Sequence, residues 1–471
     1  MCLRFAVRTA FIMLCSYHGH CVKSSDVPKA YRARAYTTRT GLRLQHAYAT
    51  SVIMSSPPLA IIPPMHPLIG RITPPGSKSI TNRALLLAAL GRGTSRLAGA
   101  LKSRDTTLMA AALRQMGVVV DEPDETSFVV TSEGFLRAPQ QPLLLGNAGT
   151  ATRFLAAAAA LCDGTVVIDG DAAMRKRPIG PLLTAMHSLG IAASAPAGCP
   201  PVRIEGRGHF GSGRVEIDGS LSSQYVSAVL MASPCGEGPI DVALTGRDLD
   251  ARGYVDLTVA AMSAFGANVV PVDRTTWRVE PTGYTATDFA IEPDASASTY
   301  LWAASALTEG RIDLGVPIEA FTQPDAQAAT FIRMFPNLPA VIDGSQMQDA
   351  VPTLAVLAAF NDTPVRFTGI ANLRVKECDR IRALATELSR IRPGLGLEEG
   401  DDLIVASDPG LAGQRLPTRI ETYEDHRIAM SFALAALRIG GIVILDPDCV
   451  GKTYPGYWDA LRSLGVEIRA A

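Results

Sequence analysis

The chain has 471 residues, 47% hydrophobic and 19% charged, with a formal net charge of −1. That length supports roughly two to three domains with buried cores. The near-neutral balance argues against nucleic acid or an anionic membrane as partner, since either calls for a basic excess.

Residues 1 to about 65 differ from the rest. They carry Arg4, Arg8, Arg32, Arg34, Arg39 and Arg43, many Ser, Thr and Tyr, and Asp26 as their single acid. This composition resembles an organelle transit peptide, which would place the protein in a plastid. A mis-assigned start, with translation beginning at Met54 or Met65, is the reading preferred here, and it leaves the protein cytoplasmic. Under either reading residues 1–65 are expected to be disordered and outside the fold.

From Gly76 onward one unit recurs. It opens with a polar cap, then has an Ala/Leu-rich helix and a strand, a second amphipathic helix, and a strand–turn–strand pair. The first example is PPGSKSITNRALLLAAL, Pro74 to Leu90, whose Pro-Gly turn and Ser/Lys cap predict a helix from near Thr81. Such caps recur at Ser77, Asn147, Ser220, Asp294, Asp349 and Tyr423, roughly 55 to 75 residues apart and so longer than the units of a simple solenoid. Four second helices end at Gly117, Gly190, Gly266 and Gly465, the usual left-handed position after a helix. RIRALATELSRIRPG lacks that Gly at the same place, and TFIRMFPNLP is a degenerate version. Alternating text such as SFVVTS and WRVEP supplies the strands.

Six βαβαββ-like units therefore cover the chain from about residue 70. Crossovers combined with hairpins imply mixed sheets with helices between them. The expected fold class is α/β (α+β), with two lobes of three repeats and a cleft between them. The first lobe is placed at 77–292, and the second at 66–76 plus 293–471.

The polar residues concentrate in the caps. Lys78, Ser79, Arg83, Asn147, Thr150, Arg153, Ser222, Ser223, Gln224, Asp349, Asp425 and Arg427 all fall at first-helix starts. A structural repeat needs one capping residue per helix, and the helix dipole disfavours a cation at that end. Cations there are better explained by an anionic ligand held between dipole and side chain. Three further basic clusters are MRKRPIG (Met174–Gly180), NLRVKECDRIR (Asn372–Arg382) and DCVGKTYPGYW (Asp448–Trp458). Arg in Gly- and Pro-flanked turns suits phosphate or carboxylate, with which it forms bidentate pairs. Taken singly, any of these clusters reads as a solvated face.

Several chemistries are excluded. GSKS is not a nucleotide P-loop, because Ser77 precedes Lys78 and Ile72 stands where the first Gly belongs. There is no GxGxxG after a strand, no HExxH and no GxSxG elbow. The eight cysteines show no CxxC pair and no zinc spacing, so they read as reduced and mostly structural. FLAAAAALC, Phe154 to Cys162, is too short to span a bilayer.

Eight stretches together resemble the 5-enolpyruvylshikimate-3-phosphate synthase family, in that family's order from about 70 to 465. They are PGSKSITNR, GNAGTATR, MRKRPIGPL, SSQYVSAVLM, PDASASTY, NLRVKECDRI, YEDHRIAMS and GKTYPGYW. The resemblance implies a two-lobed enzyme that moves the enolpyruvyl group of phosphoenolpyruvate onto the 5-hydroxyl of shikimate 3-phosphate. It implies no metal or other cofactor, and a monomer; closure on binding is expected because the ligands lie in both lobes. Carried over residue by residue, Lys78, Ser79, Arg83, Ser222, Ser223, Gln224, Asp349, Asn372 and Lys376 would bind shikimate 3-phosphate. Lys78, Asn147, Gly149, Arg177, Gln224, Arg380, Arg427 and Lys452 would hold phosphoenolpyruvate.

In the same carry-over Asp349 would take the hydroxyl proton and Glu377 would protonate the methylene carbon, with Lys78 between the substrates. That role asks for surroundings that raise the proton affinity of Glu377. Ala251 stands where a Ser often contacts the phosphate, with Arg252 as a substitute. Phe154 replaces a common Pro, and Cys378 a common Thr. The alternatives are the sister transferase acting on UDP-N-acetylglucosamine, a non-catalytic anion-binding scaffold of the same fold, and a repeat-built enzyme acting on RNA 3′ ends. Retention of both Asp349 and Glu377 argues against the scaffold.

Overall fold

The computed structural model describes residues 56–246 and 252–471. Most of the expected leader, and Ala251, lie outside the described residues. The described strands form six small sheets. In one, Leu143–Leu144 runs parallel to Asp163–Asp169, and the Gly149–Ala158 helix supplies the crossover that a parallel pair requires. The Gly180–Ser188 helix then leads to Ala192–Ser194 and Val202–Arg207, which complete the sheet antiparallel. The sheets begun by Gly213–Asp218 and by Val341–Asp343 repeat this order. The second helices of four units end on Gly117, Gly190, Gly266 and Gly465, all with positive φ.

The last sheet corrects the expected leader. Its strands Arg415–Ile420, Gly440–Ile444 and Glu467–Ala470 are joined by Leu59–Ile62 from the other end of the chain. Leu59–Ile62 pairs antiparallel on both sides, and Ile61 is fully buried. The folded region therefore begins before residue 65. A four-residue strand set between Pro57-Pro58 and Pro63-Pro64 reads locally as a linker, and only its distant partners make it a strand.

Three further strands exchange partners between units. Ile69–Arg71 precedes the Lys78 helix but pairs with Arg311–Asp313. Tyr284–Thr285 and Phe289–Ala290 precede the Ala295–Leu307 helix but pair with Gly91–Ala98. Two buried clusters follow this division. One runs from Ile80 to Ile291, and the other takes Ile61 and Leu68 and then Ala297 to Val466. The chain thus passes between the lobes twice, and the two passages are bonded side by side. Ser77 N–H donates to Glu292 O at 2.9 Å and Asp294 N–H to Pro75 O at 2.8 Å. Between them a Cβ on Gly76 would lie 1.9 Å from Gly99 O, so only glycine fits.

The first helix of each unit is apolar on all sides and accordingly sits inside its lobe. All ten residues of Gly149–Ala158 and of His426–Ala435 are buried. At their N-terminal ends Gly149, Thr150 and Arg427 line a buried cavity.

Candidate active site

Local capping explains how the functional side chains are presented. Ser77 Oγ accepts from Ile80 N–H, so the first helix begins at Lys78, three residues before Thr81. Ser222 Oγ accepts from Gln224 N–H at 3.2 Å, and an Asp425 carboxylate oxygen from Arg427 N–H at 2.9 Å. Two of the six units have a first helix that starts without a side-chain cap, at Ala148 and Ala350. At the first, Gly149 leaves room for a guanidinium: a Cβ there would lie 2.8 Å from Arg177 Nη1. At the second, Asp349 does not cap its own helix but turns to two arginines.

Two adjoining cavities lie between the lobes and share Gln224, Asp349 and Lys376. The first is lined also by Ser79, Arg83, Ser222, Ser223, Tyr254 and Gln348. The second adds Lys78, Asp105, Gly149, Thr150, Arg177, Glu377, Arg380 and Arg427. A roomier groove between Pro63–Pro67 and Leu437–Arg438 lies on the surface away from them. Size does not choose the site here. Convergence of buried charge does.

Asp349 lies 3.0 Å from Arg380 and 2.7 Å from Arg427. Arg380, only 1% exposed, also bonds Glu377 at 2.7 Å and Asp425 at 2.7 Å. Glu377 meets Lys452 at 3.4 Å and Arg177 at 3.7 Å. Burial alone would raise both Asp349 and Glu377. The cations win: Arg427, Lys376 and Arg380 hold Asp349, and Arg380, Lys452 and Arg177 hold Glu377, well below the usual carboxylate range. For Glu377 this is the reverse of the surroundings expected of a proton donor. Burial, with help from Arg380 against Asp349, lowers Lys376 to about 8. His426 is fully buried, neither ring nitrogen has a hydrogen-bond partner among the described residues, and burial and Arg427 keep it neutral.

The remaining expected residues divide. Asn147 Oδ1 accepts from Arg177 and its carbonyl from Lys452, so it braces two cations behind the cavity. Arg83 spends four hydrogen bonds on Thr258, Ser79 O, Ser227 and Tyr254 O, and burial lowers it to about 10. It offers the cavity charge and one free N–H at most. Asn372 does not line either cavity, although its buried Oδ1 has no partner. Arg252 lines neither cavity; it donates to Arg274 O at 2.8 Å and meets Asp256 at 3.6 Å.

Sequence reading missed Asp105, Gln348, Tyr254 and Asp325. Tyr254 O–H donates to Asp325, which burial and Asp349 raise to about 6. No local pattern marks Tyr254 or Asp325. Asp105 stands in the first turn of a second helix, apart from the first-helix caps in which the charges concentrate.

Three-sheet lobes meeting at buried cavities lined by charged side chains place this chain among the enolpyruvyl transferases in fold. An EPSP synthase structure from Acinetobacter baumannii superposes with a TM-score of 0.71 at 25% identity, covering 88% of this chain and all of that one. The enolpyruvyl transferase NikO from Streptomyces tendae shares the fold with a TM-score of 0.66 at 18% identity, over 88% of this chain and 99% of its own. The sequence model of EPSP synthase (3-phosphoshikimate 1-carboxyvinyltransferase) matches residues 62–334 and 319–461. A 3-phosphoshikimate 1-carboxyvinyltransferase of Rhizobium etli is 70% identical over 87% of this chain and 98% of its own length. Relatives of the same name from Pseudomonas savastanoi and Vibrio atlanticus are 68% and 39% identical, over 87% and 86% of this chain and 98% of each relative. The chain belongs to the EPSP synthase family and is a transferase.

Proposed function

We propose that the protein transfers the enolpyruvyl group of phosphoenolpyruvate to the 5-hydroxyl of shikimate 3-phosphate and releases inorganic phosphate. The observation that carries this reading is the placement of Asp349, Gln224 and Lys376 on the wall common to both cavities. An acceptor hydroxyl in the first cavity and an enol ester in the second would meet at Asp349. In this reading Ser79, Arg83, Ser222, Ser223, Gln224, Asp349 and Lys376 hold shikimate 3-phosphate, with Asn372 behind them. Lys78, Gly149, Arg177, Gln224, Arg380, Arg427 and Lys452 hold phosphoenolpyruvate, with Asn147 bracing Arg177 and Lys452.

The ion pairs supply a mechanism for the acid–base pair. Arg380, Arg427, Arg177 and Lys452 are among the cations that depress Asp349 and Glu377, and they are also proposed phosphoenolpyruvate ligands. An incoming phosphate and carboxylate draw that positive charge away. Both protein carboxylates then regain proton affinity, so Asp349 becomes a competent base and Glu377 can carry a proton to the methylene carbon. The cationic phosphate pocket stabilises the leaving group.

The enzyme is read as monomeric and cytoplasmic, because both cavities are lined by one chain and the described cysteines Cys162, Cys199, Cys235, Cys378 and Cys449 are free. The test mixes protein, shikimate 3-phosphate and phosphoenolpyruvate without divalent metal and follows phosphate release. No release, or release only when UDP-N-acetylglucosamine replaces shikimate 3-phosphate, sinks the assignment.

A further inference from the structure

Asp105 is an anion inside a pocket assigned to anions. It is the second residue of the Arg104–Gln115 helix and is 2% exposed. One carboxylate oxygen lies 3.5 Å from Lys78 Nζ and the other 3.4 Å from Lys452 Nζ, so it joins cations of opposite lobes. Its own helix does not require it, because Ser103 and Thr106 form a capping box there. Among the described residues neither oxygen accepts a hydrogen bond from a backbone or side-chain group that would fix it as part of the scaffold.

We propose that Asp105 is the counter-anion of the Lys78–Lys452 pair and sets how firmly that pair retains phosphate. It surrenders the two ammonium groups to the phosphate of an incoming substrate and takes them back as inorganic phosphate departs. Asp105 is a positioning residue in this scheme, and the scheme rests on the reading of Lys78 and Lys452 as phosphoenolpyruvate ligands. The sign of its effect separates it from a structural role. A structural acid holds the lysines in place, so its loss weakens anion binding. A counter-anion competes with the ligand and repels it, so its loss strengthens binding.

The experiment titrates inorganic phosphate into the full-chain wild type, Asp105→Asn, Asp105→Glu and Lys452→Met, and measures KM for phosphoenolpyruvate in each. Asp105→Asn is expected to bind phosphate about tenfold tighter, as loss of Coulomb repulsion at a low-dielectric site implies, with KM falling. Asp105→Glu keeps the charge and is expected to stay within about threefold of wild type. Phosphate binding by Asp105→Asn that is unchanged or weaker overturns the proposal, as does tightening by Asp105→Glu equal to that of Asp105→Asn. If Lys452→Met binds phosphate as wild type does, the subsite reading itself fails. Loss of binding in Lys452→Met together with no tightening in Asp105→Asn sinks the counter-anion alone.

Discussion

Replacing Arg380 by Met tests whether one guanidinium holds the site together. Arg380 is 1% exposed and bonds Asp349 at 3.0 Å, Glu377 at 2.7 Å and Asp425 at 2.7 Å. Removing one partner of a buried ion pair costs about 3–5 kcal/mol. Arg427 still serves Asp349, and Lys452 and Arg177 still serve Glu377, which keeps the expected loss within that range. The variant can relieve its excess negative charge by binding a proton on one of the three carboxylates. Unfolded carboxylates titrate near pH ~4, so from there upward the native variant holds one more proton than its unfolded state.

Its stability then falls by about 1.4 kcal/mol per pH unit as pH rises. Wild type has the opposite sign. Its depressed Asp349 and Glu377 contribute stability that is present above their unfolded values and lost as pH falls toward their folded ones. Urea unfolding of both proteins at pH 5, 6 and 7 is the assay. A deficit of about 4 kcal/mol at pH 7 should shrink to about 1 kcal/mol at pH 5. A deficit equal at the two ends, or under about 1 kcal/mol at pH 7, would refute the argument.

Three other outcomes follow from the same geometry. Asp349→Ala should lower turnover by about 10²–10⁴-fold, the usual worth of a general base, with a much smaller change in shikimate 3-phosphate affinity by calorimetry; wild-type turnover would exclude it as base. Because Lys376 titrates at about 8, kcat/KM for shikimate 3-phosphate should fall above that pH as its charge is lost, and Lys376→Arg should move this limb upward; an unmoved limb assigns it to another group. A chain beginning at Ser56 should unfold at a higher thermal midpoint than one beginning at Met65, which loses the Leu59–Ile62 strand and the fully buried Ile61. Burial of that one side chain contributes about 1.5–3 kcal/mol, so equal midpoints for the two truncations would contradict the strand's place in the core.

What was legible locally held where the interactions are local. Of the expected caps, Ser77 and Asp294 mark real helix starts, since a cap acts on an amide two or three residues away. Those placed at Ser220 and Tyr423 stand two residues before the actual caps Ser222 and Asp425, and Asn147 and Asp349 stand one residue before Ala148 and Ala350. The βαβαββ rhythm survives in the sheet order, because helical and strand periodicities span one element each. The expectation failed for Leu59–Ile62, whose strand character comes from Ile444 and Ala470 rather than its flanking prolines.

The same division runs through the site. Cations at helix starts, and a pair of carboxylates in Asp349 and Glu377, are properties of the amino-acid order. Their partners are not. Lys452 reaches Asn147 across 305 positions, and Lys78 N–H reaches Asp294 across 216. That Glu377 is held ionised, that Asp349 leaves its own helix uncapped, and that Asp105 joins two lysines of different lobes are consequences of packing. Coulomb energy depends on separation in space and on burial, and neither quantity is written in the spacing of residues along a chain.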